Sequence, residues 1–305
     1  MKQNGKNQLV GSLLLLICAF IWGSAFVAQT TGAEYVGPFT FICLRSFLGA
    51  AVLLPVIFLS GKFKKNTPDK EHDIKKGRRT LLIGGMCCGV ALFLASVFQQ
   101  AGIDKGTDPG KAGFITALYI LLVPLSSLFM KKRVRPIIWP CIGASVVALY
   151  LLCVTENNSV ELSDLLVLIC AALYTVHILV IDRVSPYVDG IKLSCIQFFV
   201  AAVLSIVPAL VYEGVDIQNI VDAMPSIAYA GVMSSGVAYT LQILGQQKTE
   251  PTLASMIMSL ESVFAVLTSM AVLHLAPTPR EAIGCVIMFA AIIVAQLPER
   301  KKKSC

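Results

Sequence analysis

Two stretches of the chain, Gly84–Gln100 (GGMCCGVALFLASVFQQ) and Gly231–Gln247 (GVMSSGVAYTLQILGQQ), align with each other without a gap. Eight of the 17 aligned positions are identical, and both stretches end in the same Gln-Gln pair. Such similarity at one fixed spacing indicates an internal repeat, which governs how the whole chain is organised.

Further matches extend the repeat to both sides of this pair. Thr107–Ser127 (TDPGKAGFITALYILLVPLSS) aligns without a gap with Thr249–Ser269 (TEPTLASMIMSLESVFAVLTS). Earlier in each half, Phe47–Leu53 (FLGAAVL) aligns with Phe198–Leu204 (FFVAAVL). Both halves therefore carry the same structural unit.

The composition predicts an integral membrane protein. Hydrophobic residues make up 56% of the 305 residues and charged residues only 14%, against about 25% charged residues in soluble domains. Apolar windows of about 20 residues are typical of transmembrane helices, because lipid cannot satisfy the backbone groups of other structures. Ten windows are present: Leu9–Gln29, Pro38–Leu59, Leu81–Ala101, Ala112–Met130, Pro136–Leu152, Leu165–Ile181, Ile191–Val211, Met224–Leu244, Leu253–Leu273 and Ala282–Leu297.

The number of windows in each half predicts an inverted arrangement. Five windows fall in residues 9–155 and five in residues 163–297, so the second unit enters the membrane upside down. We therefore expect an all-α fold of ten transmembrane helices, built from two inverted five-helix repeats. Inverted repeats are typical of secondary transporters, which handle substrate near the midplane where the repeats meet. Duplication in a receptor or scaffold is the alternative.

The basic residues predict the orientation in the membrane. Almost all of the 25 Lys and Arg residues fall on one side, concentrated in the loop 61–79 and the tail 298–305. Lys105, Lys111 and Arg280 are the exceptions in loops, and Arg45 lies within a window. The positive-inside rule then places both termini in the cytoplasm, with the chain in the cell (inner) membrane. The net charge of +7 thus reflects topology and gives no indication of nucleic-acid binding.

At this point the sequence resembles the drug/metabolite transporter superfamily, specifically its EamA-type carriers. The resemblance rests on IWGSAF (21–26), QQAGIDKGTDPGKAGFITALYILLVPL (99–125), AYTLQILGQQKTEPTLASMIMSLESVFAVL (238–267) and IGCVIMFAAIIVAQL (283–297). It implies a ten-helix inner-membrane carrier of small metabolites, often an exporter of amino acids. The chain departs from the family at Ser262, where Pro is frequent, and at Met130-Lys131 and His274-Leu275, where Gly-Glu is frequent.

Glu261 is the main candidate for a functional residue. It is the only acid in the apolar stretch Ile257–Met270, and its counterpart in the aligned stretch of the first repeat is Tyr119. A charge at the centre of a spanning helix costs about 2.5 to 3.5 kcal/mol, so such groups usually face a cavity or a partner. Glu261 would contact a substrate ammonium group or carry a coupling proton. Alternatively, a protonated or hydrogen-bonded Glu261 fastens two helices together.

Arg45 is the second charge within a window. It lies in the outer half of the second window, from where its long side chain could extend to the membrane interface in a structural role. Alternatively it binds a substrate carboxylate. If Arg45 and Glu261 face one cavity, a zwitterionic metabolite would fit between them.

Further polar and aromatic residues are candidates for the same cavity or for its gates, although each of them also has an ordinary packing or solvation role. The remaining candidate substrate-binding residues are Trp22, Ser24, Tyr174, His177, Tyr239 and Gln242. The candidate gating residues are Gln99, Gln100, Gln246 and Gln247 at window ends, with Pro55 and Pro208 as helix-breaking hinges.

Other functional classes have little support in the sequence. GTDPGKAG (106–113) has too short a gap for a nucleotide-binding loop, and the ten cysteines lack metal-ligand spacing. We therefore expect no cofactor and no enzymatic activity. A carrier is the leading hypothesis, followed by a channel or non-transporting receptor and then a membrane-embedded enzyme. The oligomeric state is not predicted.

Overall fold

A computed structural model describes residues 5–63, 71–105, 107, 109–131, 134–153, 161–214, 216–273 and 278–297. Its elements are all helical within these residues. The α-helices are Gly5–Ala33, Pro38–Phe63, Glu71–Asp104, Pro109–Ala117, Tyr119–Phe129, Ile138–Cys153, Leu162–Val184, Gly190–Pro208, Ile217–Asp222, Met224–Tyr229, Tyr239–Gln246, Pro251–Met258, Glu261–Leu273 and Pro279–Gln296. Short segments of other winding are the 3₁₀ turn Ser185–Tyr187 and the π-helical Ala209–Glu213 and Ala230–Ala238.

The described part of the chain contains nine helical segments long and apolar enough to cross a membrane, and a tenth that is shorter. Numbered in chain order, spans one to ten are Asn7–Ala33, Pro38–Leu59, Gly77–Asp104, Ala112–Phe129, Ile138–Leu152, Leu162–Tyr187, Gly190–Glu213, Met224–Gln246, Pro251–Thr268 and Pro279–Gln296. The prediction of an all-α membrane fold is confirmed. We call the face on which span one begins the near face and the opposite face the far face.

Several spans begin where the sequence supplies a helix cap. Span ten starts with a reciprocal pair, in which the Thr278 hydroxyl accepts a bond from Glu281 N and the Glu281 carboxylate accepts one from Thr278 N (2.7 Å). The Asp189 carboxylate likewise accepts from Ile191 N (3.0 Å) at the start of span seven. Such caps satisfy N–H groups that a helix cannot pair internally. They therefore fix the ends of the spans.

Spans from opposite halves pack directly against one another, and glycine permits the closest approaches. Spans three and six, two and seven, and five and ten are such pairs. At Gly89 of span three, an added Cβ would lie 2.8 Å from the backbone oxygen of Gln197 in span seven. At Gly84 it would overlap the side chain of Val184. The two repeats are thus in direct contact through three pairs of spans. Small residues at these contacts let helices in a membrane approach closely.

Two arginines join spans five and ten at their opposite ends. Arg135, just before span five, donates hydrogen bonds to the backbone oxygens of Leu297 (2.9 Å) and Ala295 at the end of span ten. Arg280, in the first turn of span ten, donates to the backbone oxygen of Tyr150 (3.3 Å) near the end of span five. Each arginine supplies donors to the last carbonyls of the other helix, which lack partners within their own helix.

Of the two prolines predicted to break helices, only Pro208 lies at the end of an α-helix. Helix Pro38–Phe63 runs through Pro55 without interruption, so the break predicted there is wrong. A proline removes a single backbone donor, and a long helix retains its other hydrogen bonds around it. In span seven, α-helical winding does end at Pro208, where the π-helical segment Ala209–Glu213 follows. A gating role for both prolines stays a prediction.

Parts of the predicted loop and tail lie outside the described residues. In the loop 61–79, residues 71–79 already belong to helix Glu71–Asp104, while residues 64–70 are outside the described part. The tail 298–305 and the His274-Leu275 departure from the family pattern also lie outside it.

Candidate functional site

Spans four and nine are each divided into two helices, and the two divisions lie at corresponding positions of the repeat. Span four is interrupted at Leu118, and span nine at Ser259 and Leu260. Leu118 N bonds Ile115 O (3.2 Å) and Leu260 N bonds Ile257 O (3.1 Å), both at a spacing of three residues instead of four. Donor and acceptor in one span are the repeat counterparts of donor and acceptor in the other. The discontinuity is therefore a property of the repeated unit.

Hydroxyl side chains contribute to the discontinuity in span nine. Ser255 Oγ donates to Thr252 O (2.8 Å) and Ser259 Oγ donates to Met256 O (2.7 Å). A serine that bonds a carbonyl one turn back competes with backbone hydrogen bonds and bends helices. Broken helices near the midplane are typical of transporters, in which they line the substrate site.

Tyr119 and Glu261 are the residues that follow the two interruptions, and they contact each other. Each is the first residue of the second helix of its span. The Tyr119 hydroxyl donates a hydrogen bond to Glu261 Oε1 at 3.1 Å, and both side chains are buried. A direct bond between repeat counterparts places them at the pseudo-two-fold axis. The structure thus brings Tyr119 and Glu261 together at similar depth, as the repeat alignment predicts.

A cavity surrounds this bond where the two repeats meet. It is narrow, since only about 40 Å³ is wide enough for the centre of a water molecule. Its walls are formed by Trp22, Phe26, Gln29, Arg45, Gln99, Thr116, Tyr119, Tyr174, Ile178, Ser234, Tyr239, Gln242, Met258 and Glu261. A substrate larger than a few atoms therefore requires side chains or helices to move.

The cavity is lined by repeat counterparts from both halves. The central pair is Tyr119 and Glu261, and the same alignment pairs Thr116 with Met258. A further match that the sequence contains, LLLLICA (13–19) with LLVLICA (165–171), adds two more pairs when it is continued along spans one and six. These pairs are Trp22 with Tyr174 and Phe26 with Ile178. The cavity therefore lies on the symmetry axis of the repeat.

Arg45 lies in the cavity wall with only 6% of its surface exposed. Its Nη2 donates to Ser96 Oγ (3.0 Å), its Nη1 to Gln29 Oε1 (3.5 Å), and its guanidinium carbon lies 5.8 Å from the centre of the Phe41 ring. The suggestion that Arg45 extends to the membrane interface is wrong, because these polar partners inside the protein hold its head group. Arg45 and Glu261 thus line one cavity without forming an ion pair.

Three aromatic residues lie together in the cavity wall. The rings of Trp22 and Tyr239 are 4.7 Å apart, and the hydroxyls of Tyr174 and Tyr239 are 3.3 Å apart. Trp22 Nε1 and Gln242 Oε1 are buried without a hydrogen-bond partner among the described residues. Buried polar atoms normally have partners. The wall therefore offers one donor and one acceptor that a ligand could satisfy.

Ser24 and His177 lie outside this cavity wall. The Ser24 hydroxyl bonds Ile21 O (2.8 Å) and the Tyr229 hydroxyl, in a crevice on the other side of span one. His177 is fully buried, and its Nε2 lies 3.0 Å from Gln197 Oε1. The His177 ring packs edge-on against Tyr239, with 6.0 Å between the ring centroids. It therefore contacts a residue of the cavity wall without lining the cavity itself.

The four glutamines at the ends of spans three and eight have different surroundings. Gln99 lines the cavity and donates to Thr116 Oγ1 (3.1 Å), whereas Gln100 donates to Asp104 Oδ1 (3.4 Å). Gln246 Nε2 donates to Ile178 O (3.1 Å), and Gln247 Nε2 to Ser185 O (2.7 Å), which ties span eight to span six. Their gating role stays a prediction, and only Gln99 belongs to the cavity wall.

Six wall residues were not among the sequence candidates: Phe26, Gln29, Thr116, Ile178, Ser234 and Met258. Most of them resemble ordinary packing residues in an apolar span. The match between residues 13–19 and 165–171 is the signal that identifies two of them, because it aligns Phe26 and Ile178 one turn beyond Trp22 and Tyr174.

Comparison with known proteins identifies the family. Residues 9–154 and residues 161–296 each match the EamA-like transporter family. The chain belongs to this family. The resemblance to EamA-type members of the drug/metabolite transporter superfamily is thereby confirmed, and the domain is present twice, in agreement with the internal repeat.

Curated relatives are also transporters, and their similarity extends over nearly the whole chain. An uncharacterized transporter of Archaeoglobus fulgidus is 29% identical over 299 residues, which cover 96% of this chain and 88% of that protein. The uncharacterized transporter YwfM of Bacillus subtilis is 23% identical over 300 residues, or 96% of each chain. YoaV of the same organism is 19% identical over 294 residues, or 95% and 97%.

A protein of known crystal structure shares the fold. It superposes with a TM-score of 0.76 at 18% sequence identity and covers 93% of this chain and 96% of its own. At this identity the likeness concerns the fold alone, and it includes both repeats.

Proposed function

We propose that this EamA-family transporter is a secondary carrier that moves a small zwitterionic metabolite, such as an amino acid, by alternating access. The observation that carries the proposal is the narrow cavity at the repeat axis, which contains Arg45 and Glu261 without an ion pair between them. Two opposite charges held apart in one buried cavity suit a ligand that carries the opposite charge at each end.

The chemistry of the wall supports this substrate class. The Glu261 carboxylate and the unpartnered Gln242 Oε1 are acceptors suited to an ammonium group. The Arg45 guanidinium and the unpartnered Trp22 Nε1 are donors suited to a carboxylate. Aromatic rings between them offer an apolar surface for a side chain.

The inverted repeat supports alternating access. Because the three-residue hydrogen bonds at the interruptions of spans four and nine lie at corresponding positions, exchanging the conformations of the two repeats would open the cavity to the opposite face. The narrowness of the cavity favours a carrier over a channel, since a channel needs a continuous water-filled path.

The direction of transport and its coupling belong to the same proposal. We assign export or facilitated release, from a cytoplasmic near face outward, on the basic charge of the near-face segments and on the family resemblance. Glu261 is the residue suited to carry a coupling proton, since protonation and substrate ammonium would compete for the same carboxylate.

The test is counterflow in reconstituted vesicles. Vesicles are loaded with a mixture of the proteinogenic amino acids, and release is followed by mass spectrometry with and without external amino acids. A carrier gives saturable release that external substrate stimulates. Glu261→Gln and Arg45→Gln should abolish the stimulation, whereas Glu34→Gln, which removes an exposed acid at the far end of helix Gly5–Ala33, should not.

Two results would overturn the proposal. Release that rises linearly with concentration, without counterflow, would identify a channel. Absence of release, combined with saturable binding of the same amino acids, would identify a non-transporting receptor.

A further inference from the structure

The surroundings of Arg45 are unusual for a buried charge. Among the described residues, no carboxylate oxygen lies within the 4.0 Å of the guanidinium that would make an ion pair. Its contacts are two neutral acceptors, Ser96 Oγ and Gln29 Oε1, and the face of the Phe41 ring. A buried charge is normally paired, because its removal from water is costly. The guanidinium therefore lacks a negative partner.

The groups around Arg45 still have donors to offer. The guanidinium has five N–H groups, and two of them are used in these bonds. Gln29 accepts through Oε1, so its amide group still has two N–H donors, whereas the Ser96 hydroxyl is also hydrogen-bonded to Tyr174. A positive charge with unused N–H donors of its own, next to the N–H groups of an amide, is the chemistry of an anion site.

A second observation comes from the repeat. The counterparts of the residues that form this cluster are apolar: Gln29 aligns with Ile181, Arg45 with Ile196 and Ser96 with Ile243. The cluster is therefore absent from the second repeat and is not required by the shared fold. In addition, Trp22, in the same cavity wall, has a buried indole Nε1 without a partner among the described residues.

We propose that Arg45, Gln29 and Ser96 form a site for a small inorganic monovalent anion of the chloride class. The anion balances the Arg45 charge when no substrate carboxylate is present. Because Arg45 and Gln29 line the cavity, the anion leaves when a substrate carboxylate arrives. That displacement rests on the proposed function, whereas binding of the anion to the substrate-free protein does not.

Glu261 does not fulfil this role. It lines the same cavity, but its Oε1 accepts a hydrogen bond from Tyr119, and no ion pair joins it to Arg45. The two charges are thus separately stabilised, with a neutral donor for Glu261 and neutral acceptors for Arg45. An anion adds the one contact that Arg45 does not have.

The experiment uses Trp22 as a reporter within the cavity. The chain has two tryptophans, so Trp139→Phe leaves Trp22 as the sole tryptophan, and Trp139 lies outside the cavity wall. In the purified Trp139→Phe protein without substrate, iodide is titrated at constant ionic strength with gluconate as the balancing anion. We expect a saturable component of quenching that chloride displaces and gluconate does not.

Variants then assign the site to the Arg45 cluster. Arg45→Gln should weaken chloride displacement by about tenfold or more, because it removes the charged hydrogen-bond donor. Lys105→Gln, which removes an exposed positive charge near the far end of span three, should leave it unchanged. Arg45→Lys should bind with intermediate strength, because it keeps the charge but loses the planar guanidinium.

The outcomes separate this site from the proposed function. Quenching that is linear in iodide and insensitive to chloride overturns the anion site, even if amino-acid transport is found. Chloride displacement that persists in a folded Arg45→Gln protein also overturns it. If Arg45→Gln does not fold, the chloride titration of the Trp139→Phe protein alone still decides whether an anion binds. If amino acids are not transported but chloride displaces iodide, the anion site stands and the proposed function fails.

Discussion

The two repeats have matching backbones where spans four and nine are interrupted, and different side chains at the cavity. Both interrupt a span at the same place, at Leu118 and at Ser259-Leu260, with three-residue hydrogen bonds at corresponding positions. The residue that follows the interruption is Tyr119 in the first repeat and Glu261 in the second, and these two bond to each other. The hydrogen bond between Tyr119 and Glu261 therefore joins two positions that are equivalent in the backbone but carry different side chains.

The asymmetry extends to other residues in and beside the cavity, and it runs both ways, since Gln242 and Tyr239 of the second repeat have Ala95 and Leu92 as counterparts in the first. Four polar residues of the first repeat have apolar counterparts in the second. The pairs are Gln29 and Ile181, Arg45 and Ile196, Ser96 and Ile243, and Thr116 and Met258. The difference suggests a division of roles. In the proposed mechanism, the matching interruptions would give the transporter two equivalent conformations, whereas unlike side chains would let it hold one substrate in one orientation.

The largest effect is expected at Glu261, a charged residue whose repeat counterpart, Tyr119, is neutral. Glu261→Gln keeps the shape and removes the charge, so it should lower amino-acid transport by about tenfold to 100-fold, the range for losing a hydrogen bond to a charged group. If the carboxylate also carries the coupling proton, the variant should lose pH dependence. Counterflow at several pH values measures both, with Glu34→Gln as control. Unchanged transport with unchanged pH dependence would exclude both roles.

A similar loss is expected at Arg45, but none at its counterpart. Arg45→Gln should lower the affinity for substrate by about tenfold or more, since a buried guanidinium is the proposed carboxylate partner. Ile196→Val, at the matching position, should leave affinity unchanged and cost about 0.5 to 1.5 kcal/mol of stability. Equilibrium binding and thermal unfolding of both variants give the comparison. Equal affinity losses in the two would show that the position matters for packing alone.

A smaller effect is expected at Gly23, which lets span one approach span nine. A Cβ at Gly23 would lie 2.6 Å from Glu261 O and 2.7 Å from Phe264 Cβ. Gly23→Ala should therefore displace the second helix of span nine and cost about 1 to 3 kcal/mol of stability. Thermal unfolding checks the stability, and counterflow should show a partial loss of transport. Wild-type values in both assays would mean that spans one and nine can move apart at Gly23 without loss of stability or of transport.

The smallest effect is expected from removing the bond between the repeats. Tyr119→Phe deletes the hydroxyl that donates to Glu261, which corresponds to about 1.5 kcal/mol, the low end of the range for a hydrogen bond to a charged group. Substrate affinity should change by less than about tenfold, far less than in Glu261→Gln. A loss as large as that of Glu261→Gln would assign the principal role to the pair and not to the carboxylate.

The general fold can be predicted from the sequence because apolar windows and fixed repeat spacings are local signals. The alignment of the repeats also pairs Tyr119 with Glu261, which the structure shows in contact. Long-range contacts cannot be predicted in this way. The sequence allows Arg45 to reach the interface, because nothing near it in the chain reveals that Gln29 and Ser96 hold it inside.

The position of the helix breaks is equally hidden in the sequence. Proline predicts a break at Pro55, yet helix Pro38–Phe63 is continuous there. The breaks at Leu118 and Ser259-Leu260 contain neither proline nor glycine. In span nine two serine hydroxyls bond backbone carbonyls one turn back, whereas the counterpart positions in span four are Gly113 and Ala117, which have no hydroxyl.

The most direct test of the proposed site is a crossed measurement of affinity. A transported amino acid is compared with its amide, which lacks the carboxylate, and with its deaminated acid, which lacks the ammonium group, in wild type, Arg45→Gln and Glu261→Gln. We predict that wild type discriminates against both analogues, that Arg45→Gln no longer discriminates against the amide, and that Glu261→Gln no longer discriminates against the deaminated acid. Equal discrimination by all three proteins would contradict the assignment of opposite ends of the substrate to Arg45 and Glu261.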